Sequence, residues 1–132
     1  MKYYHFDVQK IIRDKRFALM ENSGVLVDEK ELSRGEKLFH LKQKMLEEAE
    51  EVFDAKSREE LVEELADILE VIDGIRKFAD ISEEEILEQK RAKFEKSGGF
   101  EDSRFGTLIK IPEGHYLVEY CRKNPKQYPE ID

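Results

Sequence analysis

The sequence has little that points to covalent cross-linking or to a membrane. Its one cysteine, Cys121, leaves no internal disulfide to form, and no group of Cys and His residues has the spacing of a zinc site. A reducing, cytoplasmic setting is the expectation. No run approaches the roughly 20 apolar residues of a membrane span, and the stretch from Met1 to Asp7 lacks the apolar centre of a signal peptide. Positive charge is also scarce, with 23 Lys and Arg against 31 Asp and Glu and a net charge of -8. A general nucleic-acid binder neutralises phosphates with clustered cations, so this balance argues against one. Cations are the better-matched partners. Hydrophobic residues make up 39% of the chain and charged residues 41%, so a core forms only if the apolar positions are gathered on faces. Association between copies would relieve that shortage. There is no internal repeat and no low-complexity linker, and 132 residues suit a single domain over 1–132.

Three helix starts use the same device. Ser33-Arg34-Gly35-Glu36, Ser57-Arg58-Glu59-Glu60 and Ser82-Glu83-Glu84-Glu85 each place a hydroxyl at the N-cap and a carboxylate three residues later. These two groups satisfy backbone N–H groups that have no partner within the helix. The third start adds Ile81 and Ile86 at the spacing of a hydrophobic staple. The caps predict helices over Arg34 to Asp54, Arg58 to Ala79 and Glu83 to Lys96, the last stopped by Gly98-Gly99. Only Ala55 and Lys56 precede the cap of the second helix, which forces an antiparallel hairpin. A short helix from Asp14 to Glu21 is expected to end at Asn22-Ser23-Gly24, after a strand at Tyr3 to Val8. Thr107 to Ile111 and Tyr116 to Tyr120 flank Pro112-Glu113-Gly114-His115, the pattern of a C-terminal β-hairpin. The expected architecture is all-α: the hairpin and a third helix contribute to a four-helix-bundle core completed by dimerisation. Residues 101–132 form an extension with the small β-hairpin.

The acidic residues divide by helix face. Stepping at 100° per residue gathers Leu38, Leu41, Met45, Leu46, Ala49, Val52 and Phe53 on one side of the first long helix. Glu48 borders that face and Glu51 lies just beyond it, while Glu47 and Glu50 point away. On the second helix Glu64 falls inside an apolar arc running from Leu61 to Ile75, and Asp67 falls at its edge. Glu63 and Glu70 face solvent. A carboxylate within an apolar face is costly unless it is paired, metal-bound or neutralised. Residues level with each other in an antiparallel hairpin have numbers of constant sum. Glu51 with Glu64 and Glu48 with Asp67 both give 115, so the four carboxylates should converge. Carboxylates about 4 Å apart repel by roughly 4 kcal/mol per pair at an effective dielectric near 20. An all-oxygen cluster suits a hard cation, Mg²⁺ or Mn²⁺, which polarises phosphoryl oxygens and can generate a nucleophilic water. Acidic i,i+3 pairs also arise by chance in so acidic a chain, and there they form solvated faces.

These residues resemble a known family, the MazG-like all-α nucleotide pyrophosphohydrolases, which include phosphoribosyl-ATP pyrophosphohydrolases and dimeric dUTPases. The E-E-x-x-E and E-x-x-D signature stands here as Glu47-Glu48-Ala49-Glu50-Glu51 and Glu64-Leu65-Ala66-Asp67. Ile12-Arg13-Asp14-Lys15 is similar to the V-R-D-K segment of the phosphoribosyl-ATP pyrophosphohydrolase-like subfamily, and Lys93 through Phe100 to its K-x-x-R-G-G-F ending. The likeness covers about Lys10 to Phe100. It departs at Arg16, where the subfamily often has Ile-Pro, and at Ser97, where Arg is usual; both departures bear on substrate specificity. The resemblance implies a Mg²⁺-dependent enzyme with Glu48, Glu51, Glu64 and Asp67 as metal ligands. It would hydrolyse a nucleoside triphosphate or related nucleotide between the α and β phosphates, with Glu48 or Glu51 orienting or deprotonating the water. Arg13, Lys15 and Lys93 are the candidate phosphate-binding residues. A homodimer or dimer of dimers, acting in nucleotide-pool cleaning, is the leading expectation. The competing readings are phosphoribosyl-ATP hydrolysis in histidine biosynthesis and a non-catalytic helical interaction module. His40, His115 and Cys121 have no partners at catalytic or ligand spacing and read as ordinary structural residues.

Overall fold

The computed structural model describes all 132 residues. It contains five helices and no strand: α1 (Asp14–Asn22), α2 (Arg34–Asp54), α3 (Arg58–Phe78), α4 (Glu83–Ser97) and α5 (Leu117–Lys123). The chain divides into two compact units, Met1–Lys96 and Ser97–Asp132. No helix is long and apolar enough to cross a membrane.

The caps set the helix starts. At α2 the Ser33 hydroxyl accepts the Glu36 N–H at 3.3 Å, and the Glu36 carboxylate accepts the Ser33 N–H at 3.1 Å. At α4 the same reciprocal pair joins Ser82 and Glu85, at 3.1 and 2.7 Å. At α3 the Ser57 hydroxyl accepts the Glu60 N–H at 3.1 Å, but the Glu60 carboxylate reaches one residue further back, to the Lys56 N–H at 2.9 Å. That second bond ties the short connection to the helix it introduces.

The helix ends are equally specific. α1 closes with the Val25 N–H on the Met20 carbonyl at 2.9 Å and the Gly24 N–H on the Glu21 carbonyl at 3.0 Å. Gly24 takes the left-handed position of this motif, at φ +92°. α3 closes in the same way, with the Ile81 N–H on the Arg76 carbonyl at 2.9 Å, but there Asp80 occupies the left-handed position at φ +56°.

α2 and α3 are the only helices in broad contact. Arg34, at the start of α2, donates to the Phe78 carbonyl at the end of α3 (3.3 Å) and lies 4.4 Å from the centre of the Phe78 ring. The start of one helix thus meets the end of the other, as an antiparallel hairpin requires. Leu41 and Val71 are the only buried hydrophobic residues, and Gly74 lets Leu41 approach α3 closely. The apolar arc expected on α2 is only partly covered: Leu46 and Phe53 remain 70% and 89% exposed. α4 buries nothing. The accessible area of 12787 Å² compares with about 7,200 Å² for a folded monomer of this mass, so the chain leaves much apolar surface uncovered.

Two expectations at the ends are corrected. Tyr3 to Val8 forms no strand, because nothing lies beside it to complete a ladder. The C-terminal β-hairpin is absent too. Tyr116 to Tyr120, the expected second strand, leads instead into α5. Pro112 to His115 does turn, with the His115 N–H on the Pro112 carbonyl at 3.2 Å and Gly114 at φ +84°. The His115 imidazole then accepts the Leu117 N–H at 3.1 Å, which favours a helical turn over an isolated two-stranded ribbon. Arg122 holds Glu130 through two hydrogen bonds, at 3.0 and 2.8 Å, and folds the end of this unit back on α5.

The α2 cap makes a pH-dependent contribution. The Ser33 backbone N–H and hydroxyl, with Lys30 beside them, lower the Glu36 carboxyl from 4.5 to about 2. Because the folded value is depressed, this stability is present above the ordinary carboxyl range and is lost as pH falls through about 2. Thermal melts of wild type and Glu36→Gln should therefore differ most near pH 6, with wild type the more stable, and converge as pH falls toward 2. A gap that stays constant with pH would contradict this.

Candidate metal centre

The three-residue connection between α2 and α3 sets the hairpin register, and the register brings the acidic pairs together. Glu48 and Glu51 from α2 and Glu64 and Asp67 from α3 each offer a carboxylate oxygen within 4.8 Å of the others. These are the four residues that the equal sums make level. They span a gradient of exposure: Glu48 is buried, at 5% exposure, Glu64 and Asp67 are half-buried, and Glu51 is exposed.

The electrostatics of the cluster are strained. Burial pushes the Glu48 carboxyl up, reinforced by a hydrogen bond and charge repulsion from Glu51. A hydrogen bond with Glu64 pushes Glu51 up as well, beyond what its bond to Glu48 offsets. Crowding of like charges in a partly buried place is the condition that a bound divalent cation would relieve. The second oxygens of Glu48 and Glu64 are buried and have no hydrogen-bond partner, a costly condition that a cation would relieve. Opposite oxygens around Mg²⁺ lie about 4 Å apart at bond lengths of 2.0–2.1 Å. A 4.8 Å spread is close to that, and the all-oxygen donor set fits a hard cation.

Three cations already partner the acidic residues. Arg13 donates to Asp67 at 2.8 Å. Lys44 lies 3.5 Å from Glu48 and 3.4 Å from Glu47, and Lys10 donates to Glu47 at 3.1 Å. Lys10 and Lys44 together hold the Glu47 carboxyl below its ordinary value, although burial acts in the opposite direction. Glu47 thus departs from the outward position expected of it. Lys10, Arg13, Arg16 and Lys44, with Glu48 and Asp67, line a groove of about 270 Å³. A larger cavity of about 710 Å³ runs along α2 past Leu46, Ala49 and Phe53; it shares Lys10 and Lys44 but is lined by none of the four clustered carboxylates.

Of the predicted phosphate-binding residues, only Arg13 reaches the cluster. Lys15 and Lys93 are exposed and pair with none of its carboxylates. Sequence reasoning did not single out Lys10 or Lys44 here, and marked Arg16 only as a departure bearing on specificity. Lys44 was legible as an i,i+4 partner of Glu48, but Lys10 meets Glu47 across 37 positions and had no local signal. Comparison with protein-family models, curated proteins and solved structures gives no match.

If the cluster holds a cation, its repulsion is a liability only without one. Excess Mg²⁺ or Mn²⁺ should raise the melting temperature over that in EDTA by mass action. Glu64→Gln should melt higher than wild type in EDTA and gain less from the metal. Equal melting temperatures for wild type in EDTA and in Mg²⁺, with no heat of binding by calorimetry, would show that the cluster is not a metal site.

Proposed function

We propose that this protein is a Mg²⁺-dependent nucleotide pyrophosphohydrolase. It would cleave a nucleoside triphosphate or related nucleotide between the α and β phosphates and act in nucleotide-pool cleaning in the cytoplasm. The observation that carries this reading is the convergence of four carboxylates, two of them with buried unpartnered oxygens, beside a groove lined by four cations. Glu48, Glu51, Glu64 and Asp67 would hold the cation. When bound, it supplies Lewis-acid polarisation of the phosphoryl oxygens and lowers the pKa of a bound water.

The chain's own residues have separate tasks. Glu48 or Glu51 would orient the attacking water and accept its proton. The water oxygen bonds to phosphorus and the α–β bridging bond breaks, leaving the monophosphate and pyrophosphate. Arg13 lies where it can exchange Asp67 for a substrate phosphate, a charge-assisted contact it can make in bidentate form. Lys15 and Lys93 would join it only after a movement toward the groove.

A second copy of the chain completes the fold in this reading. The exposed apolar residues of α2 and α3, among them Leu46, Phe53, Leu65 and Leu69, suit the packing of two hairpins into a four-helix bundle. Light scattering at micromolar concentration should give a dimer or a dimer of dimers. Leu69→Lys, at a position 63% exposed in the single chain, should shift the protein toward monomer. A wild type that is monomeric and folded would contradict the assembly.

Activity tests the catalytic reading. The amide variants of Glu48, Glu51, Glu64 and Asp67 should each lower pyrophosphate release from a nucleotide panel by about a hundredfold or more. Glu50, Glu63 and Glu70, exposed and outside the cluster, should change by only a few fold as amides. Glu47 does not serve as such a control, because it binds Lys10 and Lys44. Cleavage confined to phosphoribosyl-ATP would move the protein to histidine biosynthesis. Metal binding without cleavage of any nucleotide, or equal losses in both sets of variants, would overturn the mechanism.

A further inference from the structure

We propose that Arg16 binds a second phosphate of the substrate, the pyrophosphoryl end that leaves. This rests on reading the four carboxylates as the cation site for a phosphorylated ligand. Arg16 lines the same 270 Å³ groove as Glu48 and Asp67, and it differs from the other three cations there. Lys10, Arg13 and Lys44 are each committed to a carboxylate. The Arg16 guanidinium has no hydrogen bond or ion pair; its backbone N–H is on the Arg13 carbonyl at 3.0 Å. A free guanidinium beside a cation site, in a chain of net charge -8, is available to an incoming anion at no cost in broken ion pairs.

Its position on α1 separates its task from that of Arg13. Arg13 is the N-cap of α1, gives the helix no side-chain cap, and reaches Asp67 at the cluster. Arg16 stands three residues on, the spacing that brings side chains onto one face of a helix about 5–6 Å apart. A phosphate at the cation therefore meets Arg13, and the next phosphates along the chain meet Arg16. Glu48 supports a ligand here independently, because it lines the groove, is 5% exposed and has an oxygen without any partner. The groove volume lies below the roughly 300–1,000 Å³ of pockets that enclose a drug-sized ligand. It suits a short phosphate chain and leaves the nucleoside outside.

The test is calorimetric binding of inorganic pyrophosphate and of orthophosphate to the full chain in Mg²⁺, with Mg²⁺ binding measured separately. Arg16→Gln should weaken pyrophosphate about tenfold, the usual effect of losing one charge-assisted contact, and orthophosphate by less than about twofold. Arg16→Lys keeps the charge without the planar fork and should fall between. Lys42→Gln, on the exposed side of α2, should match wild type. If Mg²⁺ binds normally and Arg16→Gln holds pyrophosphate like wild type, this inference fails and the cation site stands. Equal weakening of pyrophosphate and orthophosphate would place Arg16 at the cation and overturn the second-phosphate assignment. A wild type that binds neither Mg²⁺ nor pyrophosphate would overturn both readings.

Discussion

Repulsion among four carboxylates is the constraint around which the hairpin is organised. The short connection Ala55 to Ser57 holds α2 and α3 as an antiparallel hairpin. That arrangement draws Glu48, Glu51, Glu64 and Asp67 within 4.8 Å. Each close pair costs roughly 4 kcal/mol at an effective dielectric near 20, which is comparable to the whole stability of a small domain. Two partial remedies are present. Arg13 engages Asp67, and Lys44 engages Glu48. They leave two buried oxygens without partners. A divalent cation would satisfy those oxygens and free Arg13 and Lys44 for an anionic substrate.

The same hairpin has little hydrophobic stabilisation with which to oppose that repulsion. Only Leu41 and Val71 are buried apolar residues, and Gly74 admits Leu41 without packing against it through a side chain of its own. The helices are started and stopped well, by three serine caps and by left-handed closures at Gly24 and Asp80. Caps contribute about 1 kcal/mol each, so they define the helices more than they hold them together. Association of apolar faces and binding of a cation would act on the same two helices, and the stability of the fold and the occupancy of the site are linked for that reason.

Much of this was legible in the sequence because the signals are local. Ser33 with Glu36 and Ser82 with Glu85 make the bonds their spacing implies, and the level pairing of Glu48 with Asp67 and Glu51 with Glu64 needs only the position of the turn. The illegible parts depend on distant partners. The Lys10–Glu47 and Arg13–Asp67 pairs span 37 and 54 positions, and no periodicity reports them. Tyr116 to Tyr120 has strand-like composition but follows a turn in which the His115 imidazole accepts the Leu117 N–H at the start of α5. Leu46 and Phe53 belong to the apolar arc of α2, yet a single neighbouring helix cannot cover an arc that wide.

The most direct test of the account is anomalous X-ray scattering from crystals grown with Mn²⁺. An anomalous peak enclosed by oxygens of Glu48, Glu51, Glu64 and Asp67 is expected, with Arg13 turned away from Asp67. Ordered carboxylates with no peak among them at saturating Mn²⁺, and Arg13 still on Asp67, would contradict it.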